Sequence, residues 1–200
     1  GFMLPPGLGF NAISTKARAM AKACKRPGSY WDWSERLDSD EFYMSFCGTA
    51  PEQLMFGLRA AIDMINEEGV ANVFSRHYRL SRAVHASLDR WSEGGALENN
   101  SINPDERSHS VTTILLDKRF DPIVLRKVCR EQFNLGLGNG MGKIERESFR
   151  IGHMGDLNEG MVLGTLGVIE MALIILGIPH GAGGVNAAID ALTVDHEQFT

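Results

Sequence analysis

The sequence has few cysteines and no concentrated positive charge. Its three cysteines, Cys24, Cys47 and Cys129, are far apart and form no CxxC pair, so neither a disulfide framework nor a zinc site is indicated. The 20 lysine and arginine residues are scattered among 25 acidic ones, which gives a formal net charge of −5. Nucleic acids are bound by concentrated positive surfaces. The composition therefore excludes nucleic acid as a main partner, and the cysteine usage favours a reducing, cytosolic setting.

The sequence also lacks an uninterrupted membrane span. Its most hydrophobic run, residues 161–178, contains Glu170 near its middle and is interrupted by Gly164, Gly167 and Gly177. A carboxylate at the centre of a bilayer costs about 2.5–3.5 kcal/mol. The run is therefore predicted to be a buried helix of a globular domain, and no membrane partner is expected.

The beginning of the sequence is unlike the start of a domain. Residue 1 is glycine rather than methionine, and the first ten residues are apolar, rich in proline and glycine, and unlike a signal peptide. We therefore expect the sequence to be part of a longer chain. Residues 1–50 are predicted to end a preceding large domain, and residues 51–200 to form an interdomain helix and a small α+β domain.

Residues 51–200 have strong helix and strand patterns. Thr49 and Glu52 have the spacing of a capping box, the apolar residues that follow have helical spacing, and Gly69 ends the pattern. The later patterns predict helix 70–91, strand 111–116, a helix from Asp121-Pro122, a strand with Arg150, and helices 158–176 and 185–192. This order favours helices on one face of a mostly antiparallel sheet. Among the first 50 residues, a strand is predicted near 8–13 and a helix over 14–23. Residues 29–33 have the composition of a strand, but their aromatic side chains could equally form a patch at a subunit contact.

Arg150 is the strongest candidate for a binding residue. It lies in a short apolar run that predicts a strand, which fixes the direction of the side chain, and Gly152 and Gly155 allow close approach of a ligand. Asp156 and Glu159 have the spacing of a capping box for the next helix. A guanidinium held in this way can bind a carboxylate through two parallel hydrogen bonds. A structural ion pair explains an arginine at this position equally well.

Other conspicuous residues favour ordinary structural roles. The glycine-rich run 135–142 lacks the GxGxxG spacing, so a dinucleotide-binding loop is not predicted. His153 follows the arginine strand, but no nucleophile is paired with it, which favours a packed or capping histidine. His77 lies on the apolar face of its helix and is predicted to be a core residue.

Three motifs carry a family resemblance. The first is the run from Gly1 to Leu8, the second is Thr49 with Gln53-Leu54 and Gly57-Leu58-Arg59, and the third is the run from Arg150 to Glu159. In this order they resemble motifs of the class V aminotransferases that bind pyridoxal 5'-phosphate, and most closely of the serine–glyoxylate and alanine–glyoxylate aminotransferases. The resemblance covers nearly the whole chain.

The resemblance implies a fold and a reaction. The fold is the α/β type I fold of pyridoxal-phosphate-dependent transferases, of which this chain would be the C-terminal half: the end of the large domain and a small α+β domain with an antiparallel sheet. The reaction is a ping-pong transfer of an amino group from a small amino acid, such as serine or alanine, to glyoxylate through a lysine Schiff base.

The resemblance also implies roles for particular residues. Arg150 would bind the substrate carboxylate, and Thr49 would bind the cofactor phosphate of the neighbouring subunit in a homodimer or larger assembly. The Schiff-base lysine would lie immediately before Gly1, so no catalytic residue is expected within the sequence. Alternatively, the Thr49 hydroxyl only caps its own helix.

Two departures from the family pattern affect the expected amino donor. Residues 144–148 are inserted before the arginine strand and bring Arg146 near the pocket, and Phe46 stands where some relatives have tyrosine. Aspartate or an aminophosphonate therefore remains an alternative donor. Cys129 lies in a helix pattern rather than a mobile loop, which counts against the desulfurases of the same fold.

A different class of function also fits these residues. The chain could be a non-catalytic dimerisation domain that binds a carboxylate through Arg150. The last residues, 198–200, are not a peroxisomal address, so the cytoplasm is the expected location.

Overall fold

The computed structural model describes residues 2–46 and 48–194. These residues form two compact units, one from Phe2 to Met64 and one that begins at Ile65. Gly1 of the first motif, Cys47 and the C-terminal residues 198–200 lie outside the described residues. The predicted boundary between residues 50 and 51 stays a prediction.

The first unit consists of loops and short helices. Ser14 caps the first helix by accepting a hydrogen bond from the Ala17 N–H at 3.2 Å. The strand predictions near residues 8–13 and 29–33 are wrong: the first segment is irregular, and the second contains a helical turn at Ser29–Trp31 that follows Gly28 with a φ of +61°. Asp32 then caps the next helix by accepting from the Ser34 N–H. The helices are α1 (Thr15–Lys22), α2 (Trp33–Leu37) and α3 (Glu52–Glu68), which continues into the second unit.

The apolar side chains of the first unit are mostly exposed. Among its described hydrophobic residues, only Ala61 is buried. So many large apolar side chains exposed in one unit favour a contact with other protein. The large side chains that are more than half exposed are Phe10, Met20, Tyr30, Trp31, Phe42, Tyr43 and Phe56.

The second unit is an α+β domain around one antiparallel sheet. The four strands lie in the order β1-β2-β4-β3, and every neighbouring pair is antiparallel. This confirms the predicted fold class. The elements are α4 (Val70–Ser92), β1 (Leu97–Asn99), β2 (Val111–Leu116), α5 (Pro122–Phe133), β3 (Gly138–Asn139), β4 (Ser148–Gly152), α6 (Glu159–Ile175) and α7 (Gly184–Val194).

The core of the second unit is built around α4. Leu80, Val84, Leu88 and Trp91 recur at helical spacing along this helix, and all are buried. They pack with the inward faces of the sheet and of α5, α6 and α7. Burial of each such side chain is worth about 1.5–3 kcal/mol, so this face of α4 supplies much of the driving force for folding.

The helix ends test the predicted caps. Asp121 caps α5 through the Ile123 N–H at 2.8 Å, and Asn134 ends that helix in the left-handed conformation. The predicted capping box of Asp156 and Glu159 is wrong, because Asn158 caps α6 through the Met161 N–H at 3.0 Å.

Helix α6 contains the most hydrophobic run of the chain. Five of its residues are buried in the core, and the Glu170 carboxylate accepts hydrogen bonds from the N–H groups of Gly183 and Val185 at 3.1 and 3.0 Å. Within residues 2–46 and 48–194, no helix combines the length and apolarity needed to cross a bilayer.

Replacing Gly184 by alanine should destabilise the second unit. Gly184 is the first residue of α7, and an added Cβ would lie 2.0 Å from Nε1 of the buried Trp91. Overpacking of this kind costs about 1–3 kcal/mol. We expect that loss in the free energy of unfolding of the purified protein, measured in urea.

Gly164→Ala is the matched control. Gly164 lies in the interior of α6 with nothing within 4 Å of an added Cβ, so alanine should stabilise the helix by up to about 1 kcal/mol. Equal stability of the Gly184→Ala variant and the parent would contradict the described packing of α7 on α4.

Candidate carboxylate-binding site

The direction of the Arg150 side chain is set by the alternation of β4. Phe149 and Ile151, on either side of it, are buried in the core, so Arg150 points to the opposite face of the sheet. In the register of the sheet it lies opposite Thr113 of β2 and Gly138 of β3. Arg150 is half-buried there.

Strand β3 orients the guanidinium of Arg150. The Nε–H donates to the Asn139 carbonyl oxygen at 2.6 Å, which leaves the two Nη groups to bind a ligand. A Cβ at Gly138 would lie 3.2 Å from the Arg150 Cβ and 3.5 Å from Nε, so glycine makes room for the side chain. This role of Gly138 was not predicted from the sequence, although the run of alternating glycines was its signal.

The described residues contain no ion pair that involves Arg150. The alternative of a structural ion pair therefore has no support in this part of the chain. Arg146, the second arginine expected nearby, is exposed and borders an open cleft together with Asn139, Glu145 and Ser148.

The loop from β4 to α6 is held by side chains of α4. Arg76 donates to the carbonyl oxygens of Gly155 and Leu157, both at 2.9 Å, and His77 Nε2 accepts from the Gly155 N–H at 3.0 Å. The prediction that His77 is a core residue is wrong, because the ring is half-buried and both of its nitrogens are hydrogen-bonded. No local sequence signal marks its partner, since Gly155 lies 78 residues away.

His153 is a packed residue, as the sequence analysis favoured. It is 1% exposed, its Nε2 is hydrogen-bonded to the Thr112 hydroxyl at 2.8 Å, and its ring lies edge-on to that of His85. Burial lowers the pKa of His153 to about 4, with a further contribution from His85. Burial likewise lowers the pKa of His85 to about 4. Both rings are therefore neutral at pH 7.

Thr49 lies in the first unit, before α3. Its side chain is exposed, and within the described ranges its hydroxyl has no hydrogen-bond partner. Helix α3 begins at Glu52, and its interior is stabilised in part by the exposed ion pair of Arg59 and Asp63.

The first two motifs pack together in the first unit. A Cβ at Gly7 would lie 2.4 Å from Leu54 Cδ1, and a Cβ at Gly57 would lie 2.7 Å from Leu4 Cδ2. Glycine at these positions therefore lets the N-terminal loop approach α3 closely. Among the described residues, no group of three or more histidine, cysteine or acidic side chains is arranged to hold a metal ion.

The two buried histidines should make the stability of the protein pH-dependent. In the unfolded chain each histidine binds a proton near pH 6.5, but in the folded chain only near pH 4. Their contribution is therefore fully present above pH 6.5 and is lost as the pH falls through 4. The free energy of unfolding should fall by up to about 1.4 kcal/mol per pH unit for each histidine.

Urea unfolding between pH 7 and pH 5 measures this slope. A variant with His85→Gln and His153→Gln should show a flatter dependence than the parent. An unchanged slope in the double variant would show that the two histidines do not cause the pH dependence of stability.

Comparisons with known proteins extend over nearly the whole chain. It is 36% identical over 186 residues to the serine–glyoxylate aminotransferase of Arabidopsis thaliana, which covers 92% of this chain and 45% of that protein. It is 33% identical over 189 residues to the L-aspartate–glyoxylate aminotransferase of Paracoccus denitrificans, which covers 94% of this chain and 46% of that protein. No family model matches the chain.

A solved structure shows the same fold. The pyridoxamine–pyruvate aminotransferase of Mesorhizobium loti matches with a TM-score of 0.82 and 22% identity, over 92% of this chain and 47% of that one. The chain thus spans about half the length of the relatives it matches. Over this span the chain is similar in sequence to glyoxylate aminotransferases and shares the fold of this solved aminotransferase.

Proposed function

We propose that this chain is the C-terminal half of a pyridoxal-phosphate-dependent aminotransferase that transfers an amino group from a small amino acid to glyoxylate. The observation that carries the proposal is the geometry of Arg150. Strands β3 and β4 hold its side chain, and among the described residues neither of its Nη groups takes part in an ion pair. The similarity to glyoxylate aminotransferases supports the choice of acceptor.

Arg150 would bind both substrates in turn. The amino donor and glyoxylate each carry a carboxylate next to the reacting carbon, and the planar guanidinium can bind it through two parallel hydrogen bonds. The bond from Nε to the Asn139 carbonyl fixes the plane of the guanidinium before substrate arrives. Orientation of this kind removes much of the entropic cost of the reaction.

The residues present fit a phosphate-bearing cofactor. The exposed Thr49 hydroxyl has no partner among the described residues and lies just before α3, where a helix start favours an anion. Thr49 would donate to the cofactor phosphate of the neighbouring subunit. The cofactor, when bound, would supply the electron sink that makes the α-carbon of the substrate acidic. The lysine that would hold it covalently is expected immediately before Gly1.

The exposed apolar surface supports a larger assembly. We propose that residues 1–50 end a large domain and that residues 51–200 form the interdomain helix and the small domain. The exposed aromatic residues of the first unit, such as Trp31 and Phe42, would be covered by the rest of that domain and by a second subunit. We place the homodimer in the cytoplasm because the few, widely spaced cysteines favour a reducing setting.

Aspartate is a second candidate donor. The two relatives described above differ in donor, one named for serine and one for aspartate, at 36% and 33% identity. Arg146 borders the open cleft beside Asn139 and could bind a second carboxylate. Initial rates with serine, alanine and aspartate against glyoxylate separate these donors.

The cofactor proposal has a simple optical test. The full-length protein should absorb in the visible range and lose that band on borohydride reduction, because the cofactor would be bound to a lysine as an imine. A colourless protein that binds no added pyridoxal phosphate would rule out the aminotransferase and leave the carboxylate-binding dimerisation domain.

Arg150→Lys should lower the catalytic efficiency with both substrates. Lysine keeps the charge but loses the bidentate geometry, and a hydrogen bond to a charged group is worth about 1.5–3 kcal/mol. We therefore expect kcat/KM for donor and for glyoxylate to fall at least about tenfold. Arg146→Lys is the matched control and should keep kcat/KM for glyoxylate within about twofold. Near-normal values for Arg150→Lys would show that another residue binds the carboxylate.

A further inference from the structure

The N-terminal half of α4 presents a polar row to the loop that follows β4. Arg76 is bound bidentately to Glu68 through Nε and Nη2, at 2.6 and 2.8 Å, and its Nη1 reaches the carbonyl oxygens of Gly155 and Leu157. The Arg76 guanidinium lowers the pKa of Glu68 below its ordinary value, so the pair stays charged at neutral pH. Arg76 is thus rigidly held and binds the carbonyl side of the loop.

His77 binds the N–H side of the same loop. The Gly155 N–H can only donate, so Nε2 of His77, 3.0 Å away, must accept, and the ring proton must lie on Nδ1. Nδ1 then donates to the Val73 carbonyl at 2.7 Å, one turn earlier in α4. This backbone bond fixes both the tautomer and the ring orientation of His77.

The conformation of the loop at Gly155 depends on contacts from outside the loop. Its φ is +99°, a conformation that side-chain-bearing residues rarely adopt, and the residue is half-buried. An N–H that is withdrawn from water and has no partner destabilises the fold. A third contact, the ion pair of Arg79 with Glu159, fixes the start of α6 just beyond the loop.

We propose that His77 is a positioning residue for Arg150. Arg150 lies two residues before the end of β4, and Gly155 lies three residues after it. By fixing the Gly155 turn, the His77 acceptor keeps the last residues of β4 in register, and with them the guanidinium that receives the carboxylate. A guanidinium that is displaced loses its bidentate geometry toward the carboxylate, which weakens binding of the substrate. The inference rests on the proposed carboxylate-binding role of Arg150.

The test compares His77→Leu with His77→Gln in the full-length protein with its cofactor. Leucine has a similar volume but no acceptor, whereas the glutamine amide oxygen can take the place of Nε2 and accept from the Gly155 N–H. Ser75→Ala is the control on α4, since its exposed hydroxyl bonds only to Ala71 of the same helix. The readouts are hydrogen–deuterium exchange of the Gly155 amide and the dissociation constant for glyoxylate.

We expect His77→Leu to speed exchange at Gly155 at least about tenfold and to weaken glyoxylate binding about tenfold, with kcat at saturating substrates within about threefold of the parent. His77→Gln should restore both readouts, and Ser75→Ala should change neither. Faster exchange with unchanged glyoxylate binding would show that His77 only stabilises the loop, and unchanged exchange would show that it does not hold Gly155. Failure of the parent to transaminate would overturn the proposed function, while exchange and glyoxylate binding would still decide the role of His77.

Discussion

The structure depends on the alternation of side chains along β4. Phe149 and Ile151 must face the core of the second unit, and a shift of one residue would expose both of them and bury the guanidinium of Arg150. Burial of each apolar side chain is worth about 1.5–3 kcal/mol, and an unpaired buried charge adds a larger penalty. The hydrophobic core therefore fixes the face on which the candidate binding residue lies, before any ligand is present.

Helix α4 links this core to the loop after β4. Its C-terminal half packs through Leu80, Val84, Leu88 and Trp91, while Arg76 and His77 in its N-terminal half hold the backbone around Gly155. Strand β4 and the loop that follows it are thus both held by contacts with the same rigid helix. Precise binding sites are built on such elements because their supporting contacts leave little freedom. The Arg150 side chain gains a second support from the backbone of β3 at Asn139.

The features that could be predicted from the sequence are those that depend on local patterns of residues. The bounds of β2 followed from β-branched content, the helix over residues 70–91 followed from helical spacing, and Arg150 was found from its strand and the glycines after it. Three features escaped because they depend on distant partners: β1 is only three residues long in a polar segment, Gly138 matters through its pairing with Arg150, and His77 bonds to a residue 78 positions away. The strand propensity of the aromatic run around Trp31 was misleading, because the chain turns at Gly28, with a φ of +61°, and forms a helical turn there.

The central claim is that Arg150, oriented by β3 and β4, is the group that receives the substrate carboxylate. A crystal structure of the full-length protein with glyoxylate bound tests it most directly. The account predicts both Arg150 Nη atoms about 3 Å from the two carboxylate oxygens, with Nε still bonded to the Asn139 carbonyl. A carboxylate held by Arg146 instead, or an Arg150 paired with an acidic side chain of the protein, would contradict it.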